Sequence, residues 1–173
     1  SHFCIRMKNP VVNTAIIAAL VSIIGKMIYH IFLQEVEDMD MYTRFFYLLC
    51  FLMALLFGLR NWKSQKGVTK LTDDVKAGMQ VTGIFSVIIA AFTYVYYQFI
   101  NPAYFAERIA ERVEHASQNV EAVDVEQVRN TAEFVFSSFI HSTITLFGFM
   151  IIGFFYTLVL VLIMRAKPEL FRG

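Results

Sequence analysis

Lys26 and His30 lie four residues apart, on one helical face, inside an apolar run covering about Val11–Leu33. An ammonium in hydrocarbon costs about 2.5–3.5 kcal/mol on insertion scales, so a charge within such a run is a candidate functional group. His141 enters a later apolar run at a similar depth, and Tyr94, Tyr97 and Gln98 leave another there. With Glu133, these side chains could line an outward-facing polar pocket. Histidine titrates near neutrality, so the chemistry of such a pocket is a proton relay or the handling of a small solute. Plainer accounts compete. Lys26 stands about seven residues from the outer end of its run, within snorkelling reach of the interface. A structural bond to another helix would also hold it, and an interfacial aromatic belt explains the tyrosines without a pocket.

Other arrangements offer less. His30 and His141 lack the further ligands that zinc needs. Glu35, Glu37, Asp38 and Asp40 form an acidic connection without the fixed spacing and turn glycines of a hard-cation loop, and read as a solvated turn. Cys4 and Cys50 fall far apart, the second inside an apolar run, which points away from a disulfide or metal framework. The chain carries no P-loop, GxSxG, HExxH or CxxC. No catalytic, cofactor-binding or metal-ligating residue is therefore expected. Arg60, Trp62, Lys63, Lys66 and Lys70 make a basic connection with an interfacial tryptophan. They are candidate contacts for anionic lipid at about 1 kcal/mol per basic residue, and no nucleic-acid motif accompanies them.

The elements that must position these groups follow from hydropathy. The 173 residues are 57% hydrophobic, with 18 Phe and 8 Tyr, and the mean hydropathy is +0.56. Soluble domains are nearer 45–50% apolar, roughly, so the chain belongs in a membrane. Four runs, at about 11–33, 42–59, 78–100 and 139–164, are each long enough for a helical crossing and too long for a barrel strand. Backbone groups in lipid must be satisfied within the segment, so the class is all-α, a single four-helix transmembrane domain. Met7-Lys8-Asn9-Pro10 reads as a natural start, which would make 1–6 an extension or tag remnant. The first run, lacking a small-residue cleavage site after it, reads as a span and not a signal.

Lysines and arginines fix the orientation. Arg6, Lys8, Arg60, Lys63, Lys66, Lys70, Lys76, Arg165, Lys167 and Arg172 fall on one side. Arg44, Arg108, Arg112 and Arg129 fall on the other. The positive-inside rule then puts both termini in the cytoplasm.

Small and polar residues recur along each span at steps of three and four. In the first span they are Ala15, Ala18, Ser22, Gly25 and Tyr29, and in the second Thr43, Tyr47, Cys50, Ala54 and Gly58. In the third they are Thr82, Ser86, Ala90, Thr93 and Tyr97, and in the fourth Ser138, His141, Thr145, Gly148 and Ile152. Such seams let helices approach closely in lipid, and with short connections they predict an up-down-up-down bundle.

The segment 101–138 between the third and fourth spans predicts an external amphipathic helix pair. Asn101-Pro102 reads as a cap and first-turn proline. Phe105, Ile109, Val113 and Ala116 oppose Glu107, Glu111 and Glu114, and 117–123 breaks the pattern. Asp124 with Gln127 resembles a capping box. From there Val125, Val128, Ala132 and Val135 lead without a breaker into the fourth span, which predicts one helix of about 40 residues, roughly 60 Å long.

The opening Met7-Lys8-Asn9-Pro10, Lys76-Ala77-Gly78 entering the third span, Tyr96-Tyr97-Gln98-Phe99-Ile100-Asn101-Pro102 leaving it, and the tail Arg165-Ala166-Lys167-Pro168-Glu169 resemble domain-of-unknown-function family 4199. The connection 68–76 departs from the Ser-Phe-Gly-Glu-like stretch associated with that family. The resemblance implies a small four-span protein of the bacterial inner membrane, common in Bacteroidota, and it implies no catalytic residue. The leading expectation is a non-enzymatic structural, accessory or assembly subunit with a protein partner or a second copy of itself. The alternative is a small oligomeric transporter or channel component using Lys26, His30, Tyr97, Glu133 and His141.

Overall fold

The computed structural model describes residues 9–32, 39–118 and 124–171. Cys4, Arg6, Lys8, Glu35, Glu37, Asp38, the side chain of Asp40, and Arg172 lie outside the described residues, and with them the expected acidic turn. Among the described residues six α-helices follow in order: α1 (Pro10–Phe32), α2 (Met39–Lys66), α3 (Leu71–Val95), α4 (Ala103–Gln118), α5 (Val125–Val135) and α6 (Ser138–Ala166). A π turn, Tyr96–Ile100, extends α3, and a 3-10 turn, Pro168–Phe171, follows α6. The helices α1, α2, α3 with its π turn, and α6 are long and apolar enough to cross a membrane, which marks the chain as a multi-pass membrane protein.

The second helix outruns its apolar core, running on through Asn61–Lys66. It stops at Gly67, whose φ of +67° is the left-handed C-terminal stop that glycine adopts without strain. The Gly67 amide donates to the Lys63 carbonyl at 2.9 Å. The third helix starts at Leu71, ahead of the expected Gly78, with Asp73 and Asp74 in its first turn, where the helix dipole favours anions.

Two expected helix boundaries fail. The 40-residue helix is broken at Phe136 and Ser137. The Ser137 hydroxyl accepts from the Ile140 amide at 3.3 Å and donates to the Phe134 carbonyl at 3.0 Å, so a short polar side chain substitutes for backbone bonds and restarts the helix. Asn101 does not open α4. Its amide closes the π turn on the Tyr96 carbonyl at 2.8 Å, Pro102 sits in the turn, and α4 begins at Ala103.

The described residues form two compact units, one containing those up to Ile89 and those from Gly148 onward, the other Ala90–Phe147. In the first, glycines set the helix approaches. A Cβ on Gly25 of α1 would lie 2.2 Å from the Phe46 ring of α2, and one on Gly58 of α2 would lie 2.8 Å from Val81 of α3. Gly78 of α3 abuts Thr157 of α6, and Gly153 of α6 abuts Thr82 of α3, with built Cβ separations of 2.3 Å in both cases. Phe51, Phe85 and Phe149, one from each of α2, α3 and α6, pack with centroids 5.0–5.4 Å apart at the centre of this unit.

The expected seam of the third span is buried at every position: Thr82, Ser86, Ala90, Thr93 and Tyr97. The second holds at Thr43, Tyr47, Ala54 and Gly58, with Cys50 half-buried. In α1 the buried stripe is Val11, Ala15, Ala19, Ser22 and Lys26, sharing Ala15 and Ser22 with the expected one. The fourth seam is corrected beyond Thr145. A side chain on Gly148 would meet nothing within 4 Å and Ile152 is 40% exposed, whereas Gly153, Thr157, Val161 and Met164 are buried. The face of α6 that packs is set by the reciprocal Gly–Thr contacts with α3, not by small residues alone.

In the second unit α4 packs on α5. Phe105 is buried and Ile109, Val113 and Ala116 are half-buried, while Glu107, Glu111 and Glu114 are exposed, as the periodicity predicts. Asp124 caps α5, its Oδ1 accepting from the amides of Glu126 at 3.0 Å and Gln127 at 3.3 Å.

Candidate functional sites at Tyr97 and Asp74

Tyr97 and His141, two of the expected polar residues, meet in the second unit. Tyr97 leaves α3 on the π turn and is 8% exposed. Its ring contacts Tyr96, Tyr104, Phe105 and His141 with centroids 4.8–5.0 Å apart, and the imidazole stands nearly perpendicular at 81°. Phe105 also meets His141 at 5.6 Å, and the Arg108 guanidinium lies 5.6 Å from the Tyr104 ring centre. Edge-to-face rings of this kind contribute about 0.5–1.5 kcal/mol per pair beyond their burial. The wider π turn positions adjacent tyrosines on the buried side. Glu133 is exposed on α5, and Tyr94 and Gln98 are exposed as well.

Lys26 and His30 belong to the first unit. Lys26 is 9% exposed and continues the buried stripe of α1 one turn beyond Ser22. His30, a turn further, is half-buried. Gly25 and Tyr29 both touch Phe46, which brings this stretch of α1 to the level of the buried Thr43 and Tyr47 of α2. The five expected residues are thus divided between the two units. Among the described residues no group of three or more His, Cys, Asp or Glu is arranged to hold a metal ion.

The most organised charged group was not anticipated. Asp74, in the first turn of α3, has a side chain with no exposed surface. Its Oδ1 accepts the Thr69 hydroxyl in a very short hydrogen bond. Its Oδ2 accepts from Lys63 Nζ of α2 at 3.3 Å and from Arg165 Nη2 of α6 at 2.7 Å. Thr69 joins the rest: its hydroxyl accepts from Lys63 Nζ at 2.6 Å and its carbonyl from Arg165 Nη2 at 2.7 Å. Charge-assisted bonds of this kind are about twice as strong as neutral ones. One carboxylate therefore ties together the ends of α2, α3 and α6 and the connection between α2 and α3.

Of the expected lipid contacts, Lys63 belongs to this network, Lys66 lies 5.5 Å from the Trp62 ring centre, and Lys70 is exposed. Trp62 is half-buried, with its ring nitrogen enclosed and without a hydrogen-bond partner among the described residues, and Arg60 is half-buried. The sequence signal for this site was the pair Asp73-Asp74 opening an apolar run within a basic stretch. Asp73 is exposed and Asp74 is not.

The family described as "Protein of unknown function (DUF4199)" matches residues 13–166, which takes in both groups. No curated protein and no solved structure matches the chain.

Proposed function

The chain belongs to the DUF4199 family, and from that premise we propose that it is a non-enzymatic subunit of a membrane complex, with a structural, accessory or assembly role. The observation that carries this reading is the paired α4 and α5. One face of α4 is buried, while Glu107, Glu111 and Glu114 on α4 and Glu126, Arg129, Glu133 and Phe134 on α5 are exposed. Phe134 is 68% exposed at the rim of a shallow hollow lined by Asp124, Gln127, Asn130 and Thr131. An exposed aromatic ringed by polar groups suits protein contact. The proposed setting is the bacterial inner membrane, with an up-down-up-down bundle, both termini cytoplasmic and the α4–α5 pair outside. The helix contacts support the topology: those between α1 and α2, α2 and α3, and α3 and α6 each pair rising residue numbers on one helix with falling numbers on the next. The ten-to-four division of basic residues supports the orientation.

The test is purification of the tagged full chain from its native membrane in mild detergent, with mass spectrometry of what accompanies it. A stoichiometric partner lost in Phe134→Ala and Glu133→Lys supports the subunit reading. The unaccompanied chain from wild type and variants alike counts against it.

A second reading, a small oligomeric transporter or channel component, draws on the burial of Lys26. An ionisable group on the packed face of an apolar helix is costly unless it is used. Reconstituted Lys26→Leu protein that conducts or transports as wild type does would end that reading.

A further inference from the structure

We propose that Lys63 and Arg165 form a binding site for a phosphate group, prearranged by Asp74 and Thr69. Two cations converge on a single carboxylate, so the network keeps one positive charge that its own members do not neutralise. Neither cation is fully covered: the Lys63 side chain is 24% exposed and that of Arg165 is 34% exposed, whereas Asp74 is wholly enclosed. The carboxylate faces inward and the cations face outward.

Hydrogen-bond arithmetic gives the same direction. A lysine ammonium has three donor hydrogens and a guanidinium five. Lys63 directs two, to Asp74 and the Thr69 hydroxyl, and Arg165 directs its two Nη2 hydrogens to Asp74 and the Thr69 carbonyl. That leaves one lysine N–H and the Nε and Nη1 donors of Arg165 without a bonding partner among the described residues. The Nε–H and the Nη1 hydrogens lie on separate edges of the guanidinium, so each donates singly to a phosphate oxygen, with Lys63 as an adjoining donor and point charge. Because both cations are fixed from behind, binding costs little side-chain ordering.

The ligand chemistry is a phosphate mono- or diester or inorganic phosphate. The location, at the ends of three apolar helices beside Trp62, Arg60 and Lys66, suits a lipid headgroup. That source rests on the membrane reading above, whereas the site itself does not. Asp74 is a positioning residue, holding the cations without touching the ligand.

The test uses the full chain in dodecyl maltoside and phosphate-free buffer. The thermal unfolding midpoint is followed against three probes: dioctanoyl phosphatidylglycerol, dioctanoylglycerol and sodium phosphate. The expected result is a saturable rise with a phosphate-bearing probe and none with dioctanoylglycerol. Arg165→Gln and Lys63→Gln should each raise the half-saturating concentration about tenfold, the cost of a lost charged hydrogen bond. The exposed Lys76→Gln should leave it unchanged. A rise with phosphatidylglycerol alone assigns the site to lipid, and an equal rise with sodium phosphate assigns it to free phosphate. Absence of a rise with both phosphate probes, an equal rise with dioctanoylglycerol, or unchanged half-saturation in Arg165→Gln and Lys63→Gln overturns the proposal. Should Arg165→Gln not fold, phosphorus NMR of phosphatidylglycerol with wild type and Lys63→Gln decides. Loss of wild-type line broadening in the variant supports the site, and equal spectra overturn it. Alkaline extraction of the chain from its membranes would end the membrane reading, and the sodium phosphate arm would still test the site.

Discussion

Asp74 is where one residue does most for the molecule. Removing its charge while keeping its shape, as in Asp74→Asn, leaves Lys63 and Arg165 held near each other with no anion between them. Loss of one partner from a buried pair costs about 3–5 kcal/mol. Here the cations are a quarter to a third exposed, so water and rearrangement should cut the loss to roughly 2–3 kcal/mol. Denaturant unfolding in detergent measures it, and an unchanged midpoint would show that the network contributes no net stability. A cycle with Arg165→Gln should return a coupling of about 1–3 kcal/mol, because the two groups share one hydrogen bond and the Thr69 anchor. The sequence offered Lys63 and the pair Asp73-Asp74 but not which aspartate gathers the cations. Asp73 and Asp74 are chemically identical, and what separates them is a rotation of about 100° around the helix, which matters only once α2 and α6 are in place. Lys26 poses the same problem. The sequence marked it as unusual, but its seat on the buried stripe of α1 depends on the phase of that helix.

Among elements, apolar length was legible and packing phase was less so. Every run assigned as a crossing is a helix, because no other structure satisfies a backbone in lipid. The seam of α3 was legible along its whole length, since hydroxyls and small residues on a mostly apolar helix have little reason to face lipid. That of α6 was not, since Gly148 and Gly153 look alike in sequence and only the second meets another helix. The difference is testable. Gly153→Ala would place a methyl 2.3–2.7 Å from Thr82 and the Phe51 ring, and should destabilise by about 1–3 kcal/mol through overpacking. Gly148→Ala and Gly83→Ala meet nothing within 4 Å and should be neutral or slightly stabilising, as alanine is the better helix former. Equal midpoints for all three variants would contradict the packing described. The break at Ser137 was hidden for another reason: serine is compatible with a helix interior, and only its bonds to Phe134 and Ile140 reveal a restart. Asp124, by contrast, was readable as a cap. Asp124→Ala should cost α5 about 1 kcal/mol, seen as faster amide exchange at Glu126 and Gln127 while the core of the first unit is unaffected.

At the scale of the whole molecule, hydropathy and burial rank the four spans in opposite order. The helix α6 has the highest mean hydropathy and the smallest buried share, 22%, whereas α3 with its π turn has the lowest and the largest, 44%. A segment facing lipid must be apolar all round, and one covered by its neighbours can carry Thr82, Ser86 and Thr93. This ordering supports a bilayer as the solvent for the outer surfaces. The proposed orientation rests on charge, and Asp74 bears on it. Neutralising one of the two cations in its network lowers the net positive charge of the side that carries Lys63 and Arg165, yet an excess over the opposite side remains. Orientation by charge counts lysine and arginine near the spans and gives acidic groups little weight, so the rule should hold. In a chain with Cys4 and Cys50 replaced, Val68→Cys lies at a fully exposed position of the α2–α3 connection and Glu111→Cys on the exposed face of α4. A membrane-impermeant maleimide applied to intact cells should label Glu111→Cys and leave Val68→Cys unmodified until the membrane is opened. The reverse pattern would invert the orientation, and labelling of both in intact cells would refute a bundle with these two segments on opposite sides.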